Sequence, residues 1–275
     1  GVSAMKRLLQ SLPIAAFLAL SSAPLASAAD VYSGPGELYQ PSTLRGSIGL
    51  RYWYSQSRSD LDNSGFDISS TDNVTSHTAE LVGTLEDTTS NTFFRGYVGL
   101  GRSDGGDVHF SGYEMDETDE TSLGYVVLDG GWGFAQFANN QVRLKGFVGY
   151  QYLSDDVSAK YGNLTVEQSR DWHAIRLGMT AEGDIGQRAG WSVDVAGVPW
   201  SYNKIENWES DWTYGLEADA MLNVDLTKNW QLGVGGRYWW LHSNFDRRYV
   251  VTGEKVVLDQ NYHRYGLLLE SKYTF

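Results

Sequence analysis

Two triplets in this chain set a carboxylate and an imidazole two residues apart: Asp107-Val108-His109 and Asp171-Trp172-His173. A positioned carboxylate–histidine pair can activate water, so the spacing is a candidate for general acid–base hydrolysis. In an extended strand, residues two apart leave the same face, and each triplet would present both groups together. A solvated loop segment is the simpler reading of each triplet. A second candidate is the run from Ser103 to Glu120, which holds Asp104, Asp107, Glu114, Asp116, Glu117, Asp119 and Glu120 and no Lys or Arg. Its chemical complements are Ca²⁺ and cationic ligands. However, Asp116-Glu117-Thr118-Asp119-Glu120 lacks the glycine and spacing of an EF-hand, so a solvated acidic face is the simpler reading. No P-loop, dinucleotide fingerprint, zinc spacing or nucleophile elbow occurs, and the sequence assigns no cofactor, no metal site and no catalytic residue.

The elements that must carry these residues are strands. Apolar and polar residues alternate over about Leu44–Ser57, His77–Glu86, Thr92–Arg102, Ser122–Phe134, Gln141–Leu153, Trp172–Ile185, Trp191–Trp200, Trp212–Leu226, Trp230–Leu241 and Tyr262–Phe275. The fifth is the clearest: Val142, Leu144, Gly146, Val148, Tyr150 and Tyr152 oppose Arg143, Lys145, Phe147, Gly149 and Gln151. Pro199 is expected to end regular pairing in the seventh. Asp171 and His173 share the parity of Ile175 and Leu177, the apolar face. Extrapolating the third strand puts Asp107 and His109 on the polar face, across the interruption at Gly105-Gly106.

Before these strands lie Lys6 and Arg7, a largely apolar run from Leu8 to Leu25, and Ala26-Ser27-Ala28. This reads as a secretory signal peptide over 1–28, starting at Met5 and cleaved after Ala28. Residues 29–43 read as a flexible lead-in and 44–275 as one domain. Removing Lys6 and Arg7 from 21 basic residues leaves 19 against 34 acidic, a net charge of −15. Such a charge argues against nucleic acid. An exported chain without cysteine has no disulfide framework, so its fold must supply the stability.

Two regularities fix the fold class. Long and short connections alternate strictly, as short periplasmic turns and long external loops do in outer-membrane barrels. Aromatics also sort by depth. Phe94, Trp132, Phe134, Trp191, Trp230, Tyr273 and Phe275 fall near the short turns. Tyr52, Tyr54, Tyr150, Tyr152, Trp172, Trp212, Tyr214, Tyr238, Trp240 and Tyr262 fall near the long loops. The expectation is an all-β, ten-stranded antiparallel up-and-down transmembrane barrel with two aromatic girdles, in the outer membrane of a Gram-negative bacterium. Its inward parity carries both signs of charge, including Arg51, Glu80, Arg95, Asp129, Arg176, Glu217, Asp219, Arg237, Arg264 and Glu270. A barrel this narrow is expected to be filled by those side chains.

Leu144-Lys145-Gly146-Phe147-Val148-Gly149-Tyr150-Gln151-Tyr152, the opening Arg102-Ser103-Asp104-Gly105-Gly106 of the second long loop and the closing Glu270-Ser271-Lys272-Tyr273-Thr274-Phe275 resemble the omptin proteases and related outer-membrane adhesins. The resemblance implies a ten-stranded barrel whose terminal aromatic, here Phe275, is read by the barrel-assembly machinery. It also implies contact with outer-membrane lipid and lipopolysaccharide. In that family catalysis uses Asp-x-Asp in the second loop region and Asp-x-His in the fourth. Here Ser103 to Glu120 contains no Asp-x-Asp, and Ser201 to Asp211 contains no histidine. The leading expectation is therefore a non-catalytic barrel with a structural, adhesive or ligand-binding surface. An omptin-like peptidase with rearranged residues and a narrow pore for ions or small solutes are the alternatives.

Overall fold

Strands that alternate apolar and polar residues bury one face only, and an antiparallel sheet of them avoids open edges by closing on itself. The computed structural model describes residues 43–63, 66–110, 113–115, 121–137, 141–161, 164–205, 208–210, 212–248 and 255–275, and among these there is no helix. Ten strands form the ring: β1 (Leu44–Asn63), β2 (Phe66–Asp87), β3 (Thr92–Asp104), β6 (Thr121–Phe137), β7 (Val142–Tyr161), β8 (Leu164–Ile185), β9 (Ala189–Ile205), β11 (Trp212–Asp225), β12 (Trp230–Arg248) and β13 (Lys255–Thr274). Each pairs antiparallel with its sequence neighbour, and β13 returns to β1. Closure runs from Ser47↔Thr274 to Asn63↔Leu258, and Gly46 and Phe275 exchange both backbone hydrogen bonds (3.0 and 2.9 Å). Three short segments lie off the ring. β4 (Asp107–Phe110) takes over from β3 as the partner of β2, β5 (Tyr113–Met115) pairs with β4, and β10 (Trp208–Glu209) pairs with β9.

The faces follow the sequence parity. Leu50, Leu81, Val148, Leu177, Leu222, Val234 and Leu267 stand half exposed or more on the outer wall. Trp53, Tyr125, Leu153, Trp239 and Leu268 are fully buried inside. Phe94, Trp132, Phe134, Trp230, Tyr273 and Phe275 ring the short-turn end, and Tyr52, Tyr54, Trp212, Tyr214 and Tyr238 the other. Two girdle assignments are corrected. Trp172 and Tyr262 have the expected depth but face inward, 1% exposed each, because they share the parity of Arg176 and Arg264.

The strands outrun their expected ends. β2 begins at Phe66 rather than His77, β7 reaches Tyr161 and β12 reaches Arg248. β9 continues past Pro199 to Ile205. Proline is tolerated there because the register slips between Ile175 and Leu177 of β8, a bulge that needs no ladder hydrogen bond from it. A 20-residue strand such as β1 extends roughly 65 Å. The apolar band of such barrels is only about 25 Å tall, so the barrel wall stands well beyond it on the long-loop side. Residues 1–42, which hold the expected signal peptide and all but the last residue of the expected lead-in, fall outside the described residues, as do Asp116–Glu120.

Candidate functional site

The inward residues form three tiers. In the lower tier, nearest the short turns, two five-residue chains alternate carboxylate and guanidinium across the lumen. The first runs Glu270–Arg51–Glu80–Arg237–Asp219, with successive contacts of 2.6, 3.3, 2.5 and 2.8 Å. The second runs Asp194–Arg95–Asp129–Arg176–Glu217, with contacts of 2.7, 3.1, 2.7 and 2.7 Å. Closer to the mouth, Lys145 bridges Glu86 (2.8 Å) and Glu182 (2.9 Å). Charges this buried are tolerated only when paired and hydrogen-bonded, and here each arginine answers two carboxylates. Below them a chamber of about 370 Å³ remains, lined among others by Arg45, Thr84, Asn223, Gln231 and Lys272.

The middle tier is aromatic. Trp53, Tyr125 and Trp239 meet edge to face, with ring centroids 4.8 to 5.8 Å apart. The guanidinium of Arg237 sits 4.5 Å from the ring of Tyr97, 4.8 Å from Trp53 and 5.2 Å from Trp239, so it belongs to both tiers. The Tyr125 hydroxyl donates down to Glu80. Leu123, Leu153, Trp172, Leu241 and Leu268 complete the layer.

In the upper tier, where Arg170 is also buried across from Asp155, hydroxyl groups surround the fully buried Arg264. Its Nε donates to the Tyr262 hydroxyl (2.5 Å). Its Nη1 donates to Ser55 (3.1 Å) and Ser76 (2.5 Å), and its Nη2 to Ser57 (3.2 Å) and Asp155 (3.0 Å). Asn203 donates to Ser243 (3.0 Å) and Gln260 (2.9 Å) above it. Asn203, Ser243 and Gln260 are at most 2% exposed, so the lumen is filled from its centre to its outer end.

The two Asp-x-His triplets lie on the outer wall. Asp171 and His173 face outward, as their parity predicts. Asp171 accepts from the Tyr152 hydroxyl (2.9 Å), and His173 Nδ1 pairs with the Tyr150 hydroxyl (2.7 Å). The inward placement of Asp107 and His109 is corrected. Gly105 and Gly106 take φ of +64° and +98°, which resets the alternation. Val108 then pairs with Thr71 and is buried inside, while Asp107 and His109 leave the opposite face. All five histidines therefore stand on the outer face, and the lumen carboxylates face arginine, lysine or hydroxyl partners instead. Among the described residues no three His or carboxylate side chains are grouped to hold a metal ion.

Sequence reading missed a repeated feature of the outer girdle. Three times, a tyrosine hydroxyl pairs with Nδ1 of a histidine on the next strand, and a second aromatic lies directly across from that histidine. The hydroxyl pairs are Tyr52 with His77 (2.5 Å), Tyr150 with His173 (2.7 Å) and Tyr238 with His263 (2.9 Å). The aromatics opposite are Tyr54, Tyr152 and Trp240. The signal was present as Tyr-x-Tyr or Tyr-x-Trp on one strand and a lone outward His on the other. Diagonal cross-strand neighbours lie within reach of such long side chains.

Comparison with known proteins adds the fold and nothing finer. No family model matches the chain, and no curated protein matches it. Among solved structures, the outer membrane protease OmpT from Escherichia coli shares 12% identity at a TM-score of 0.58, covering 88% of this chain and 100% of that one. The outer membrane protein OprG from Pseudomonas aeruginosa shares 10% identity at 0.36, covering 84% and 96%. Neisserial surface protein A shares 11% at 0.30, covering 84% and 97%. This chain has the closed antiparallel fold of outer-membrane β-barrels.

Proposed function

We propose that this chain is a non-catalytic barrel of a Gram-negative outer membrane, exported by a cleaved signal peptide and acting through its outer rim and wall. The observation that carries this reading is the filled lumen. From Arg237 to Asn203 the inward side chains are buried, their charged groups are held by partners, and no histidine reaches them. Omptin-type hydrolysis would need an Asp–His pair facing a cleft. Asp171 and His173 instead face the girdle, each held by a tyrosine of β7. The terminal pairing of Phe275 with Gly46 supports recognition of the closing strand by the barrel-assembly machinery. The exposed apolar belt supports contact with outer-membrane lipid and lipopolysaccharide, and the acidic external stretch favours cationic ligands. The test is refolded full-length protein in bilayers with lipopolysaccharide. It is expected to give no unit conductance and no cleavage of peptides bearing paired basic residues. Cleavage that disappears in His173→Ala or His109→Ala would put the peptidase first, and steady single-channel steps would put the pore first.

A further inference from the structure

On the outer wall, where β1, β2, β12 and β13 meet, a pocket of about 400 Å³ is lined by Ser57, Arg58, Asp60, Asp72, Asn73, Tyr238, His263 and Tyr265. Its floor is the outer girdle: Tyr238 and Tyr265 are 37% and 48% exposed, and the bare Leu267 and Leu50 lie below them. The pocket therefore sits at the depth of lipid headgroups if the barrel spans a membrane, and the inference rests on that reading. Arg58, its side chain 58% exposed, contacts Asp60 at 3.0 Å and Asp72 at 3.1 Å. His263 has Nδ1 engaged by the Tyr238 hydroxyl at 2.9 Å, which leaves Nε2 as the ring nitrogen a ligand can use.

The charges decide the class of ligand. With a neutral imidazole, one guanidinium against two carboxylates gives the pocket a net charge of −1. A headgroup bearing phosphate alone meets that excess negative charge, and a lone cation must displace Arg58 from its carboxylates. A headgroup with both a phosphate and a primary ammonium satisfies both signs at once. Guanidinium matches the phosphate oxygens, and an ammonium offers three donors to the carboxylates. We propose that this pocket is a binding site for the headgroup of a membrane lipid that carries a phosphate and a primary amine. The tyrosine floor and the leucines beneath it receive the glycerol backbone and the acyl chains.

The experiment is native mass spectrometry of the full chain released from micelles. The probes are phosphatidylethanolamine, phosphatidylcholine and phosphatidylglycerol with identical acyl chains. Phosphatidylethanolamine is expected to be retained best, because a quaternary ammonium donates no hydrogen bond and a glycerol headgroup carries no positive charge. Arg58→Gln should retain it about two- to fivefold less, the scale of one partly exposed charge pair. Asp60→Asn with Asp72→Asn should remove the preference over phosphatidylglycerol, and Arg102→Gln, on the outer face of β3, should change neither. Soluble phosphoethanolamine should not compete, because it lacks the chains that lie on the wall. Equal retention of the three lipids, or an unchanged preference in both pocket variants, overturns the site. Failure of the membrane reading looks different: the chain would fold without taking up detergent or lipid at all.

Discussion

The lower and upper halves of the lumen solve the same problem in opposite ways. Below the Trp53–Tyr125–Trp239 layer, four arginines and six carboxylates form two continuous chains of ion pairs. Above it, the guanidinium of Arg264 spends four of its five hydrogen bonds on hydroxyls and one on Asp155, which also lies across from the buried Arg170. The lower half opens on a chamber of about 370 Å³, where water can reach the outermost pairs. The upper half is shut by Asn203, Ser243, Gln260 and Phe245, at most 2% exposed. Desolvating an ion costs several kcal/mol even after relaxation. The two long ionic chains therefore lie in the half that opens on solvent, and hydroxyl and amide partners predominate in the half that is sealed.

The largest difference should appear on removing one guanidinium from each half. Arg237→Met leaves Glu80 with Arg51 and Tyr125, but takes from Asp219 the guanidinium that donates to both of its carboxylate oxygens. Breaking a buried pair from one side costs about 3–5 kcal/mol. Arg264→Met leaves Asp155 its hydrogen bond from Tyr262 at 2.9 Å and the nearby charge of Arg170. Its cost should lie nearer 1–3 kcal/mol, the scale of polar groups left unsatisfied. Urea titration of both variants in lipid vesicles measures the order. A larger loss for Arg264→Met would mean that the sealed half, not the ionic half, holds the barrel together.

A smaller effect of opposite sign tests the boundary between the halves. Gln151 is 1% exposed in the middle layer, and neither of its amide atoms has a side-chain or backbone partner among the described residues. Replacing it with leucine removes an unsatisfied amide at nearly constant volume and should raise stability by about 1 kcal/mol. Asn203→Leu, one tier higher, takes one donor from each of Ser243 and Gln260, which keep Thr213 and Ser59 as hydrogen-bond partners, and should lower stability by a similar amount. Destabilisation by Gln151→Leu would show that the aromatic layer behaves like the polar tier above it.

How much of this was legible in the sequence depended on where each strand stood relative to the apolar band. Within the band, lipid on one side and a polar lumen on the other force strict alternation, and a one-residue slip would reverse every side chain. Arg51, Tyr125, Arg176 and Leu268 were therefore placed on the correct face by parity alone. Beyond the band both faces are polar, so Asp67–Ser76, Ser154–Tyr161 and Leu164–Asp171 carry no alternation and read as loops although they continue the sheet. Bulges were illegible for a related reason. The positive φ of Asn73 (56°) and of Gly105 and Gly106 reset the phase locally, and only the register of neighbouring strands reveals it. The outer-wall pocket combines residues of β1, β2, β12 and β13, so no single stretch of sequence contains it.

The smallest expected effect lies outside the lumen altogether, in the turn from β2 to β3, and it separates the charged tier from its surroundings. Asp87 accepts from the Thr89 N–H at 2.9 Å and from the Ser90 hydroxyl at 2.8 Å. These bonds hold its carboxyl below the usual carboxylate range, the Thr89 N–H contributing most. A carboxylate whose folded pKa is depressed adds stability that is fully present above its unfolded pKa of about 3.9. That contribution is lost as pH falls through the folded value. Asp87→Asn should therefore lower the urea midpoint slightly at pH 7, and the gap to the native protein should close as the pH drops below about 4. Lumen carboxylates are common to both proteins and cancel in the difference, so the closing gap reports the turn alone. A gap that persisted unchanged at the lowest pH would assign the loss to side-chain shape rather than charge.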